Sequence, residues 1–317
     1  MLVHFSDRLD MADARLVPVS VLVHCKNEET NLPYCLRSVT DWADQVIVID
    51  SDSTDRTQEI ARRYGATVLS RPCTRVGLVA QRNWALDSGP IRNGWVFVLD
   101  ADEEMSRELR DEVADIVRRD PADRDGYWCR FMIIFGGRWI RRSSPYPTWS
   151  MRLFRHAVVR YEQREVNAHP RVAPGREGYL RAHFLTEDRR PFEAFVERMN
   201  EFSSLEAVAY AQVLSGARSP TTIRGRVFGT HAERRRWMKN VYVRLPFRGA
   251  AIFLYLYVFR LGFLDGFAGL DFALYKGVSE WLISAKARER LRRAGHDSVV
   301  STDAVLAPFV RSEQDLR

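Results

Sequence analysis

Cysteine is scarce, and the few there are stand apart. The four cysteines, Cys25, Cys35, Cys73 and Cys129, form no CxxC pair and none of the spacings of a zinc site or a secreted disulfide framework, which fits a reducing compartment. The first 18 residues mix acidic and basic side chains and lack the run of about 7–15 apolar residues at the heart of a signal peptide, so we read no export signal. A clean membrane span is also missing. The most apolar stretch, 249–264, is broken by Arg260 and followed by Asp265, short of the roughly 20 predominantly apolar residues that crossing requires. Internal repeats, low-complexity tracts and recognised RNA- or DNA-binding signatures are absent, so no nucleic-acid partner is expected.

What is present is a chain of 317 residues, 46% hydrophobic, enough for one core of roughly 200–250 residues plus an appendage. Its net charge of +7 suits a polyanionic partner, such as a diphosphate or an anionic membrane surface. The β-branched run Val17 to Cys25 predicts a buried strand. Leu32, Cys35, Leu36 and Val39 then share one helical face, and Val46 to Ile49 is a second strand ending at Asp50. Ser53, Thr54 and Asp55 are good helix starters before a charged helix that stops at Gly65. A short strand at Thr67 to Leu69, a helix around Leu78 to Leu86 and a strand from Trp95 into Asp100 follow. This alternation predicts an α/β fold, a mostly parallel sheet covered by helices, with ligands beyond the carboxyl ends of the strands. A helix near Arg107 to Arg118 leads into short aromatic strands such as Tyr127 to Phe135, expected to be mixed or antiparallel, and helical spacing returns from Phe192 to Val213.

The chemistry concentrates at strand ends. Asp100-Ala101-Asp102-Glu103-Glu104 places four carboxylates in five residues, which repel one another unless a cation or solvent relieves them. Mg²⁺ or Mn²⁺ would do so, because each prefers oxygen ligands and readily shares them with a substrate's phosphates. The plain alternative is that these acids favour the positive end of the next helix. Asp50 ends another strand, where its carboxylate could accept hydrogen bonds from a base or ribose, next to a turn in which Ser53 or Thr54 would cap a helix.

Taken together, the first strand with Lys26-Asn27-Glu28-Glu29, the turn Asp50-Ser51-Asp52-Ser53-Thr54-Asp55, Gln81-Arg82-Asn83, and Asp100-Ala101-Asp102-Glu103 resemble, in the same order, the family 2 glycosyltransferases of the type A nucleotide-sugar-binding fold. The resemblance implies that Lys26, Asn27, Glu28, Asp50, Ser51, Arg82, Asp100 and Ala101 contact a nucleotide diphosphate sugar, with Asp100 and Asp102 meeting the metal. It implies inversion at the anomeric carbon and a glycan or lipid-linked acceptor in lipopolysaccharide or exopolysaccharide synthesis. More loosely, Trp149-Ser150-Met151-Arg152-Leu153-Phe154-Arg155 is similar to an acceptor-side segment, which makes Trp149 and Arg152 acceptor candidates, although Trp149 could equally be a core residue. His183 matches a position where relatives place a metal-proximal histidine; an ordinary strand-end histidine is the alternative.

One departure concerns the base. Where many relatives carry a glutamate, this chain has Ala168, within Glu165-Val166-Asn167-Ala168-His169. An acceptor hydroxyl needs a carboxylate or imidazole within hydrogen-bond reach, so Glu165 is the first candidate base and His169 the second. Two rivals follow: a non-catalytic protein that binds nucleotide sugars, or a nucleotidyltransferase. The latter would carry a glycine-rich basic loop after its first strand, whereas Lys26 to Glu29 lacks glycine and holds two acids.

The expected organisation is an extension at 1–16, a nucleotide-sugar-binding catalytic domain at 17–190, a helical membrane-associating extension at 191–295 and a tail at 296–317. Between Arg218 and Arg248 nine Lys or Arg residues face one acid, Glu233, just before the apolar stretch. That pairing suggests interfacial contact with an anionic leaflet, placing the protein in the cytoplasm, peripheral on the inner face of the cell membrane.

Overall fold

The structure is a computed structural model, and it describes residues 16–72, 78–161, 170–215, 228 and 241–294. The candidate bases Glu165 and His169, with Ala168, lie outside the described residues.

The chain divides into two compact units, one of residues 1–132 and 147–189, the other of 133–146 and 190–317. The first opens with β1 (Val17–Cys25), α1 (Leu32–Arg37), β2 (Ala43–Asp50), α2 (Thr57–Arg63), β3 (Thr67–Ser70), α3 (Leu78–Ser88) and β4 (Trp95–Asp100). Next come β5 (Glu103–Met105), α4 (Arg107–Arg119) and β6 (Gly126–Phe135), whose last residues enter the second unit to pair with β7 (Arg138–Trp139). Then β8 (Thr148–Arg155), β9 (Arg160–Tyr161), β10 (Pro170–Arg171) and β11 (Glu177–Glu187) complete the first unit. Its sheet has the order β3-β2-β1-β4-β8-β6-β11-β5.

The sheet is parallel across β3-β2-β1-β4, as the strand-helix alternation predicts, and antiparallel where β8 joins β4 and β6 joins β8. A parallel sheet is covered on both faces, so its strands read as continuous apolar runs. Val19, Val21, Val23, Phe97 and Leu99 point to the layer of α1 and α4, against Leu32, Leu36, Leu109 and Val113. Leu22, Ile47, Ile49, Val96 and Val98 point to the opposite layer, with Leu86 of α3 and Phe154.

The second unit holds α5 (Phe192–Ser215), α6 (Arg248–Leu254), a π turn at Tyr255–Phe259, a 3₁₀ turn at Gly262–Asp265, and α7 (Gly266–Ala294). Its core joins Ala207 and Tyr210 of α5 to Ile283 and Ala287 of α7, with Val243. Phe135, Phe195, Phe272 and Tyr275 stack beside it with ring centroids 4.6–6.4 Å apart. Helices α6 and α7 cross at glycines: a Cβ on Gly249 would lie 2.5 Å from the carbonyl oxygen of Gly277.

Candidate functional site

Strand register gathers the predicted residues at one edge of the sheet. Cys25 pairs with Asp50 and His24 with Asp100, so the three central parallel strands end together, and the loops after them face the same space. The two first loops are stitched to each other. Asn27, in the left-handed region (φ 52°), donates its N–H to Ser53 Oγ (2.8 Å), and its side-chain oxygen accepts the N–H of Thr54 (2.8 Å). The N–H of Glu28 donates to Thr57 Oγ1 (2.8 Å), and that of Glu29 to Asp55 (3.1 Å). Ser53 and Thr54 therefore do not cap α2 as the sequence suggested; their polar groups serve the neighbouring loop, and Asp55 accepts the Thr57 N–H (3.0 Å).

Asp50 is fully buried. Its carboxylate accepts from the Ser53 N–H (3.1 Å) and from Gln58 Nε2 (2.8 Å), so it shapes the turn that follows it. Ser51 is buried as well and bonded to Gln81, whose Nε2 also donates to the carbonyl of Arg71 (2.9 Å). Lys26 is exposed, Glu28 is buried with one oxygen accepting from Asn31 Nδ2 (2.7 Å), and Ala101 is buried.

The acidic run is not the start of a helix. Glu103 and Glu104 lie on β5, paired with β11, and α4 begins later under its own cap, with Ser106 Oγ accepting the Leu109 N–H (3.1 Å). Beneath the run lies a chain of charges. Arg82 Nη2 donates to Asp100 Oδ1 (2.7 Å), Arg152 Nη2 stands 3.5 Å from Asp100 Oδ2 and bonds Glu103, and Glu103 accepts the N–H of Asp100 (2.9 Å). Burial alone would raise Asp100, but Arg82 and Arg152 overcome it and hold the carboxyl well below the usual carboxylate range. Burial pushes Glu103 upwards against the pull of Arg152, with Asp100 and Asp102 adding to the rise. His24, behind them, is pushed down to about 3 by burial and then by Arg82, with Asp100 opposing.

Arg152, expected on the acceptor side, is thus buried, lying 4.9 Å from the Phe184 ring with its guanidinium committed to Asp100 and Glu103. Trp149 is partly exposed, edge-on to the exposed Tyr179 (5.2 Å) with Arg130 over its ring (5.4 Å), a platform of the kind a sugar ring stacks on. His183 lies on β11; its Nδ1 is buried with no hydrogen-bond partner among the described residues, and burial, then Arg130, lowers its pKa. Among the described residues no group of three or more His, Cys, Asp or Glu is arranged to hold a metal, so Asp100, Asp102 and His183 do not form a ready-made cage.

Asn83 belongs to the Gln81-Arg82-Asn83 motif, but its contact was not foreseen, and Asn31, Arg189 and His24 escaped sequence reasoning altogether. Asn83 clasps the backbone of Tyr161, donating to its carbonyl (3.0 Å) and accepting its N–H (2.8 Å). Asn31 accepts the N–H of Arg189 (2.8 Å), whose guanidinium pairs with Glu104 (2.6 Å) and covers the Tyr34 ring (4.1 Å), tying the end of β11 to α1. His24 carried one signal: like Ser20, it is a polar residue inside a mostly apolar buried strand.

The sequence profile described as "Glycosyl transferase family 2" matches residues 20–184, just over half of the chain. An uncharacterized glycosyltransferase of Rickettsia typhi is 38% identical over 120 residues, 38% of this chain and 40% of that relative. A lipopolysaccharide core biosynthesis glycosyltransferase of Rhizobium meliloti is 29% identical over 104 residues, 32% of this chain and 37% of the relative. The match therefore spans about two fifths of the length of these relatives. Among solved structures, a mannosyltransferase from Pyrobaculum calidifontis in complex with GDP-Man and Mn²⁺ superposes with a TM-score of 0.47 at 15% identity, covering 87% of this chain and 88% of that one.

Proposed function

The chain belongs to glycosyl transferase family 2, and we propose that it moves a sugar from a nucleotide diphosphate donor to a glycan or lipid-linked acceptor, with inversion, in envelope polysaccharide or lipopolysaccharide synthesis. The observation that carries this reading is the chain Arg82–Asp100–Arg152–Glu103 under an acidic loop at the shared end of three parallel strands. The name of the Rhizobium relative supports the envelope pathway.

The donor set fits a hard divalent cation. Asp100 is held ionised, its side chain is 37% exposed, and Asp102 is half-buried two residues on. Mg²⁺ characteristically takes one or two protein carboxylates and completes its shell with water and substrate phosphates, so a three-residue cage is not required. Asp100 and Asp102 would hold it; when bound, the ion neutralises charge on the departing nucleoside diphosphate. Arg82 and Arg152 fix the Asp100 carboxylate in place before the donor arrives, while Glu103 anchors Arg152 and accepts the Asp100 N–H, a preorganisation that lowers the reorganisation needed as charge develops. The stitched loops at Asn27 and Ser53 shape the floor under the nucleotide. The acceptor proton would go to Glu165 or His169, in the segment entered from Tyr161, whose backbone Asn83 fixes.

The test is release of nucleoside diphosphate from a panel of UDP, GDP and dTDP sugars, with Mg²⁺ or Mn²⁺, with and without a lipid extract. One donor should be consumed, and EDTA and Asp102→Ala should each abolish turnover. Glu165→Gln and His169→Asn separate the two bases: the true one loses on the order of 10²–10⁴ in kcat. Donor that binds without ever being consumed would establish the non-catalytic alternative that Ala168 raises.

A further inference from the structure

The second unit carries an apolar outer face that the transfer reaction does not use. Phe247, Leu254, Val258 and Phe259 are exposed along α6 and the turn after it, Phe259 to 77%. On α7, Phe267, Leu274, Val278 and Trp281 are exposed at helical spacing, Phe267 to 86%, and Asp271 alone interrupts the stripe. Phe263 and Leu264 continue the surface across the elbow between the two helices. Patches of this extent mark a contact surface.

The two charges that break this stretch in the sequence are both bonded to the backbone of 142–146, Asp265 from a buried position and Arg260 from a half-buried one. Arg260 donates from Nε to the carbonyl of Arg142 (3.0 Å) and from Nη2 to that of Tyr146 (3.4 Å). Asp265 is 6% exposed, and its carboxylate accepts the N–H groups of Arg142 (2.7 Å) and Ser143 (2.9 Å). Ser143 Oγ also donates to the carbonyl of Gly269 (3.1 Å). The elbow is thereby locked with both charges bonded to backbone and its apolar groups outside. Basic residues flank it in sequence: eight Lys or Arg against one acid from Arg218 to Arg244, and Arg288, Arg290, Arg292 and Arg293 against Glu289 beyond Trp281, whereas Arg248 and Lys286 bond within the unit, to Ser284 and to Asn200 and Ser203.

An apolar edge interrupted by a single acid, Asp271, between cationic flanks is complementary to a bilayer with anionic headgroups. Among the described residues no single helix is long and apolar enough to cross a membrane, and Arg248–Phe259 with Gly262–Arg293 qualifies only as a bent pair. We propose that the elbow from Phe259 to Phe267 is a membrane wedge: it enters one leaflet of an anionic bilayer from the side, in the plane of the interface, while the basic flanks meet the lipid phosphates. This stands whether or not the donor reading does, because it concerns a surface outside the acidic site.

Flotation of the full chain with phosphatidylcholine vesicles, with and without phosphatidylglycerol, tests it. The protein should float with the anionic vesicles, less so at high salt. The double variant Phe259→Ser/Phe267→Ser should lose partition by about tenfold or more, and Phe259→Leu/Phe267→Leu should retain most of it. Should the serine variant fail to fold, the wild type decides: lipids brominated in the acyl chains should quench its tryptophan fluorescence, and Trp281→Phe should remove part of that quenching. The proposal is overturned if the wild type stays unbound with both vesicles, if the serine variant folds and floats like wild type, or if sedimentation without lipid shows a dimer that this variant abolishes. Donor turnover by the serine variant without vesicles separates loss of docking from loss of chemistry.

Discussion

His24 shows how one buried side chain ties stability to the acidic site. Its folded pKa, about 3, lies below the ordinary 6.5, so between those values the unfolded chain binds a proton that the folded one refuses. Stability from this residue is therefore complete above pH 6.5 and falls as pH drops towards 3, by about 1.4 kcal/mol per unit. Glu103 acts in the opposite sense: its raised pKa withdraws stability as pH rises above the ordinary carboxylate range. The informative quantity is thus a difference. In urea unfolding across pH 4–7, His24→Gln should gain on wild type as pH falls below 6.5, and parallel pH profiles would show that folding leaves the imidazole's pKa unchanged. The acids at 100–104 were legible in the sequence because carboxylates crowded at a strand end need a reason. Arg152 was misplaced because its partners, Asp100 and Glu103, are about fifty residues away, and only the antiparallel pairing of β8 with β4 brings them together.

Among the elements, strands and helices followed from the hydrophobic pattern, since β1, β2 and β4 are covered on both faces and read as mostly apolar runs. The start of α2 did not follow: Ser53 and Thr54 have the chemistry of caps, yet spend it on Asn27, a choice set by the parallel neighbour and invisible to local rules. Strand β9 poses the same question at the site. Two residues long, it is held by the Asn83 amide, which pairs with both backbone groups of Tyr161. Asn83→Ala leaves both without that partner, at a cost of about 1–3 kcal/mol. Because the segment with Glu165 and His169 begins there, the variant should lower kcat several-fold while leaving donor affinity nearly unchanged, as read from steady-state kinetics beside donor titration. Equal loss in both would mean that the clasp supports the donor pocket instead.

For the whole molecule, charge and chain path matter more than any single contact. The net charge of +7 and the flanked apolar stretch suggested anionic surfaces, but the capture of Arg260 and Asp265 was not readable, because it depends on backbone groups at 142–146. Those residues belong to the second unit although they precede part of the first. Ending the chain after Arg189 would remove Asp265 and leave the N–H groups of Arg142 and Ser143 without their acceptor. Expressed alone, residues 1–189 should be largely insoluble or melt well below the full chain, as solubility and thermal denaturation would report; a soluble fragment with undiminished melting temperature would show that 133–146 is self-sufficient. The same threading bears on descent. A recombination event at one breakpoint would not deliver the second unit intact, since its parts are encoded on both sides of 147–189. Lineages that exchange this unit by swapping gene fragments would have to move two stretches together, or else alter it by slow substitution.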